Sequence, residues 1–175
     1  MMRALILILS VLVVLPLWAD DLHVTAGQGT LATAIAGANP GDVLILQSGL
    51  HRGAIVIDKP LTLTGGHDAI IDGMGQGTVV SIDASDVIIR NLTVTGSGLN
   101  SQETDAGINV HGGRDAQVRN NTIEGTRNPR MNDRGNGIYV WNSPGTVVEG
   151  NSVRWGRDGI FSNASRKGTY RNNLF

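Results

Sequence analysis

The chain has 175 residues, with 14 basic and 15 acidic side chains, no cysteine and seven aromatic residues. A net charge of −1 leaves no electrostatic footprint for nucleic acid, and without cysteine the fold must be held by its core alone. Twenty-four glycines predict many tight turns.

Residues 1–19 read as a signal peptide. Arg3 supplies a positive start, Ala4 to Leu15 is an apolar run broken only by Ser10, and Pro16 precedes Leu17-Trp18-Ala19, a cleavage site ending on a small residue. A run of twelve residues is too short to span a bilayer, so export is favoured over an uncleaved N-terminal anchor. The mature chain, 20–175, then carries 13 basic and 15 acidic groups and is expected in a bacterial periplasm. The sequons at Asn91, Asn120 and Asn163 are incidental to Asn-rich turns.

One helix is predicted, over Thr30–Ala38, with Leu31, Ala34, Ile35 and Ala38 at helical spacing, Thr30 as cap and Pro40-Gly41 as stop. It is expected to cover the N-terminal end of a strand-rich remainder. From Gly41 onward, short apolar runs such as Val43 to Leu46, Ile55 to Ile57, Leu61 to Leu63 and Val87 to Ile89 alternate with turn residues and read as strands.

A repeat orders the rest. Gly77, Gly107, Gly137 and Gly159 are each followed, fourteen residues on, by Asn91, Asn121, Asn151 and Asn173. The return interval is sixteen, sixteen and then eight residues, so the basic coil is 22 residues and two coils carry an insertion of eight at one corner. The expected fold is all-β, a right-handed parallel β-helix with a short N-terminal capping helix. The predicted inward columns are Thr78, Ile108, Ile138, Ile160; Val80, Val110, Val140, Ser162; Ile88, Val118, Val148, Tyr170; and Thr93, Ile123, Val153, Phe175. The four asparagines are expected to form a buried structural ladder. Phe175 falls at an inward position with no cap after it, so the solenoid is expected to be truncated at the C-terminus.

Two outward columns carry the unusual residues: Val79, Asn109, Tyr139, Phe161, and Ser81, His111, Trp141, Asn163. His111, Tyr139, Trp141 and Phe161 should share one exposed face, readable as a contact surface or as a patch covered by a loop. The insertions are Thr95 to Ala106, with Gln102, Glu103 and Asp105, and Gly125 to Asn136, with Arg127, Arg130, Met131, Asp133 and Arg134. The three arginines suit carboxylate or phosphate recognition at an interface, a solvated loop being the plain alternative. His111 and Met131 could approach across one coil and would suit copper. His51 and His67 read as turn residues and Met74 as packing.

An enzyme on this scaffold would need paired carboxylates. The adjacent pair Asp20-Asp21 lies at the cleavage site, and Asp58, Asp72 and Asp83 read as turn residues. His111-Gly112-Gly113 is the nearest approach to the Gly-His-Gly of solenoid hydrolases, and the Asp-Pro-His-Glu of solenoid epimerases is absent. No catalytic residues are assigned.

The run from Arg134 through Gly-Asn-Gly-Ile-Tyr-Val-Trp-Asn-Ser-Pro-Gly to Asn151, followed by Gly156-Arg157-Asp158-Gly159-Ile160-Phe161, resembles the NosD-type family of periplasmic maturation proteins for nitrous oxide reductase. Pro40-Gly41-Asp42, Ile57-Asp58-Lys59-Pro60-Leu61 and Ile71-Asp72-Gly73 look like that family's opening coils. The resemblance implies a non-enzymatic docking and transfer component. It would work with an ABC transporter (ATPase and permease), a copper chaperone and nitrous oxide reductase, meeting the membrane only through its partners. No firm cofactor is implied, beyond transient copper, and the family lends no compact catalytic motif. Partner docking is therefore assigned to His111, Tyr139, Trp141, Phe161, Arg127, Arg130 and Arg134 on the stacking argument. The alternative is a carbohydrate-binding or carbohydrate-modifying solenoid, with sugar rings stacked on Tyr139 and Trp141.

Overall fold

A computed structural model describes residues 19–99, 105–128 and 130–175. The predicted signal segment, apart from Ala19, and the loop residues Gln102 and Glu103 lie outside the described residues. No helix among the described residues is long and apolar enough to cross a membrane.

The chain winds through three sheets in strict rotation. The first coil holds β1 (Asp21–Val24), β2 (Gly27–Gln28) and helix α1 (Thr30–Gly37). Then come β3 (Val43–Leu46), β4 (Gly49–Arg52), β5 (Ile55–Ile57), β6 (Thr62–Thr64), β7 (Ala69–Asp72) and β8 (Val80–Ile82). They are followed by β9 (Ile88–Arg90), β10 (Thr93–Thr95), β11 (Ala106–His111), β12 (Gln117–Arg119), β13 (Thr122–Glu124) and β14 (Asn136–Trp141). The last are β15 (Val147–Glu149), β16 (Ser152–Arg154), β17 (Ile160–Asn163) and β18 (Thr169–Arg171). Every third strand pairs in parallel, giving sheet A from β1, β3, β6, β9, β12, β15 and β18. Sheet B joins β2, β4, β7, β10, β13 and β16; sheet C joins β5, β8, β11, β14 and β17. This is a right-handed parallel β-helix, as the repeat predicts.

Helix α1 takes the place in the first coil that sheet C takes in the later ones. It buries Leu31 and Ile35 against the first strands, and Ala38 is also buried, so the apolar stripe of the helix closes the core. Its N-cap is Gly29 at φ 73, one residue before the predicted Thr30, whose hydroxyl instead reaches back to the Thr25 carbonyl at 2.8 Å. The Lys59 ammonium donates to the Ile35 and Ala38 carbonyls at 3.1 and 3.4 Å, satisfying orphan acceptors at the helix C-terminus.

The inward columns are close-packed. In sheet A, Leu44, Leu63, Ile89, Val118 and Val148 stand in register and are wholly buried. Tyr170 continues the column but is 37% exposed, and its hydroxyl pairs with Ser162 at 2.6 Å. Sheet B aligns His51, Ile71, Val94, Ile123 and Val153. Sheet C aligns Ile55, Val80, Ile108, Ile138 and Ile160, with Ile57, Ile82, Val110, Val140 and Ser162 beside them.

These registers correct the expectation for the coil at Gly77. Val80 and Ile82 sit level with Ile108 and Val110, so Thr78 is not in the column. Ile89 and Val94, rather than Ile88 and Thr93, point inward. Asn91 is not in the ladder either: wholly buried Leu92 takes that place, and Asn91 lies at the preceding left-handed turn position (φ 57), level with Asn120 (φ 52). The turn between sheets C and A is one residue shorter in this coil, so the fixed fourteen-residue count aligned positions that are not equivalent. His51 and Met74 are also corrected. His51 is a strand residue, 1% exposed, with Nε2 2.9 Å from the Gln47 carbonyl, and Met74 is an exposed turn residue. Phe175 is 70% exposed, beside Gly159.

The ladder runs through Asn121, Asn151 and Asn173. Asn151 Oδ1 accepts from the Asn121 backbone N–H at 3.0 Å and from Asn121 Nδ2 at 3.1 Å. Its own Nδ2 donates to the Val118 carbonyl at 2.9 Å and to Asn173 Oδ1 at 3.0 Å. Leu92 ends the chain of amides, donating its backbone N–H to Asn121 Oδ1 at 3.1 Å.

Candidate docking site

Sheet C turns one face outward, where strand alternation exposes every second side chain. Asn109, Tyr139 and Phe161 stand in one row across β11, β14 and β17; His111, Trp141 and Asn163 stand in the next. Tyr139 stacks on Phe161, with ring centroids 5.1 Å apart and planes at 3°, and lies beside Trp141 at 6.3 Å and 5°. The four residues predicted to share a face are therefore brought together. Their exposure differs from the expectation at one point: Tyr139 is buried (9% exposed) beneath its neighbours, whereas Trp141 is 38% exposed and His111 is exposed. Ser81 precedes Asn109 in the first row in place of the predicted Val79, which is wholly buried.

The arginine loop enters this face from the corner between sheets B and C. A 3-10 turn, Met131–Asp133, comes after Arg130, whose N–H is held by Asn128 Oδ1 at 2.9 Å. Arg134 Nε donates to the Asn128 carbonyl at 2.6 Å. Arg127 and Arg134 both lie over the ring of Trp155, their Cζ atoms 4.1 and 5.3 Å from its centroid. Arg130 is exposed and outside this stack. Trp155, which sequence reasoning missed, is the organising residue. A signal for it existed: the residue after the sheet B strand is Gly96 and Gly125 in the two preceding coils and Trp155, at φ 62, in this one.

The copper pairing of His111 with Met131 is not supported by the geometry. The loop bearing Met131 enters β14 at Asn136, level with Ala106, whereas His111 is level with Trp141 at the strand's far end. Five residues of strand separate those levels by about 16 Å. Met131 is 57% exposed, and no group of three or more His, Cys, Asp or Glu able to hold a metal occurs among the described residues. The carboxylates Asp58 and Asp83 directly follow β5 and β8 in adjacent coils, so two aspartates do fall at one corner of stacked strands, both exposed.

On sheet A's outward side, Glu149 is clamped between Arg119 in the coil before (2.8 Å) and Arg171 in the coil after (2.7 Å). The hydrogen bond from Arg171, with the positive charges of Arg171 and Arg119, outweighs partial burial and holds the carboxyl below its ordinary value of 4.5.

A family model described as "right handed beta helix region" matches residues 63–175. The chain is 32% identical, over 137 residues, to the "probable ABC transporter binding protein NosD" of Stutzerimonas stutzeri, covering 65% of this chain and 31% of that protein. It is 32% identical over 162 residues to the like-named protein of Pseudomonas aeruginosa, covering 74% and 38%. The chain thus spans about a third of the length of these relatives. Among solved structures, an alginate lyase from Paenibacillus sp. superposes with a TM-score of 0.61 at 19% identity, covering 88% of this chain and 65% of that one. The alginate lyase AlyGC does so at 0.58 and 19%, covering 78% and 20%. These likenesses show the shared fold.

Proposed function

Taking as premise that the chain belongs to the right-handed β-helix family, we propose that it is an exported accessory protein, acting in the periplasm in assembly of the copper centre of nitrous oxide reductase. The observation that carries the reading is the likeness to NosD-named proteins, which are described as ABC transporter binding proteins. The role is docking rather than catalysis. The face of His111, Tyr139, Trp141 and Phe161 and the corner of Arg127, Arg130 and Arg134 meet the transporter's permease and ATPase assembly, a copper chaperone or the reductase. An exposed Trp, stacked rings and arginines are the side chains that dominate protein interfaces. Copper passes between partners, with at most transient contact here.

The test is the copper content of nitrous oxide reductase purified from cells lacking this gene. A copper-poor enzyme, restored by the gene, supports the maturation role; a fully loaded one sinks it. The second reading is a carbohydrate-binding or carbohydrate-modifying solenoid, favoured by one observation: the near-parallel planes of Tyr139, Trp141 and Phe161 offer a platform for sugar rings. Binding of a neutral oligosaccharide lost in Trp141→Ala would bring it forward.

A further inference from the structure

We propose that Arg127, Arg134 and Trp155 form a recognition site for a single acidic side chain of a partner protein. The site deepens the docking reading of this corner, on which it rests, by giving its partner a chemistry.

Two guanidinium groups lie over one indole, 4.1 and 5.3 Å from its centroid. The negative face of the ring offsets part of their mutual repulsion. Among the described residues the ion pairs are Lys59–Asp58, Arg119–Glu149, Arg157–Asp158 and Arg171–Glu149. Among the described residues, neither Arg127, which is exposed, nor Arg134, which is half-buried, forms an ion pair with a carboxylate, and exposed Arg130 and Arg154 add charge of the same sign. A cationic pair converging on one ring is suited to a carboxylate, which accepts two parallel N–H bonds from one planar fork and a further N–H bond from the other.

The corner is also held in place before any ligand arrives. Arg134 Nε is fixed on the Asn128 carbonyl, and Arg157 N–H donates to the Gly135 carbonyl at 2.8 Å. The Trp155 carbonyl packs on Gly125, where an added Cβ would come within 2.7 Å of it. Fixing the donors in advance lowers the ordering cost of binding.

The charge is gathered at this corner rather than drawn out along sheet C. The rows facing out of sheet C hold Ser81, Asn109, Tyr139 and Phe161, then His111, Trp141 and Asn163, with no permanent cation among them. A polyuronate or a nucleic acid carries an anion on every unit and calls for a line of cations. One acidic residue of a protein needs only this corner, with the aromatic row beyond it as the apolar remainder of the interface.

The experiment titrates the purified chain with a hexapeptide holding one glutamate among glycines and serines, with the same peptide holding glutamine instead, and with hexagalacturonate, all carrying one neutral fluorescent label. The single-glutamate peptide is expected to bind, and its glutamine form not to. Arg127→Gln and Arg134→Gln should each weaken that peptide by roughly tenfold or more, the loss of a charge-assisted pair. Arg127→Lys, which keeps the charge but loses the fork, should also weaken it, whereas Arg166→Gln at a distant exposed turn should not. Far-UV circular dichroism checks that the variants stay folded. Absence of saturation by about 1 mM, unchanged binding in the Arg127→Gln/Arg134→Gln double variant, or tighter binding of hexagalacturonate each overturns the assignment. These outcomes are separable from the maturation role: a fully copper-loaded reductase in cells lacking the gene would sink that role and leave this binding site standing.

Discussion

Asn151 sits between two coils with both ends of its amide occupied. Its carbonyl takes two donors from the coil before, and its amino group reaches one acceptor on each side. Asn151→Ala leaves the buried Asn121 backbone N–H without its acceptor, at about 1–3 kcal/mol, while Asn121 Nδ2 keeps the Ile89 carbonyl. Urea denaturation should show a lower midpoint with an unchanged slope. Gly137 is fixed by a different constraint. It is a strand residue, and a Cβ there would overlap Val153 Cγ1 and stand 2.6 Å from the Gly159 carbonyl of the next coil. Gly137→Ala must push two coils apart, so it should lower thermal stability more than Gly112→Ala does. At Gly112 (φ 72) the added methyl meets nothing within 4 Å, and the cost is only the turn conformation.

The elements gain their stability from stacking. Strands of three or four residues have no independent existence; each inner strand is held by parallel partners in the coils before and after, and the two end strands of each sheet by one. The Arg119–Glu149–Arg171 clamp adds a side-chain tie across three coils of sheet A. Because the folded carboxyl lies below its ordinary value of 4.5, its contribution is present in full above that value and is lost as pH falls through the lowered native value. Denaturation midpoints of the chain and of Glu149→Gln should differ by a constant amount above about pH 5.5 and converge as the pH drops below 4.5. The helix is tied at its C-terminus by Lys59. Lys59→Met, which keeps the apolar stem but removes the ammonium from the Ile35 and Ala38 carbonyls, should raise amide exchange in 30–38 before the later coils.

For the whole molecule, a scaffold this repetitive leaves function to whatever differs from coil to coil. The differences cluster at one corner and one face: the insertion between β13 and β14, Trp155 where the earlier coils have glycine, and the stacked aromatics of sheet C. Trp141 is the exposed member of that face, with its carbonyl accepting from the Gly112 N–H and its ring projecting outward. Trp141→Ala should therefore leave the unfolding transition within about 1 kcal/mol of the parent. On the proposed docking role it should also weaken capture of the transporter or reductase in a pull-down; capture at parental levels would remove this face from the proposed docking surface.

Sequence periodicity by itself determined the parallel β-helix. Inward apolar residues at every second position, and a Gly-to-Asn interval repeated coil after coil, permit few other ways to bury that surface. It also located the strands near Val43 and Ile55, the capping helix and the aromatic face, because each is written in local spacing. Tertiary structure decided what spacing leaves open. A turn one residue shorter put Leu92 where counting put Asn91, since the register is set by hydrogen bonds between coils rather than intervals along the chain. His51 became a core residue because its strand's alternation, set by neighbours in β2 and β7, turns it inward. The pairing of Arg127 and Arg134 on Trp155 joins two coils through side chains 21 to 28 residues apart, a contact that exists only once the solenoid is wound.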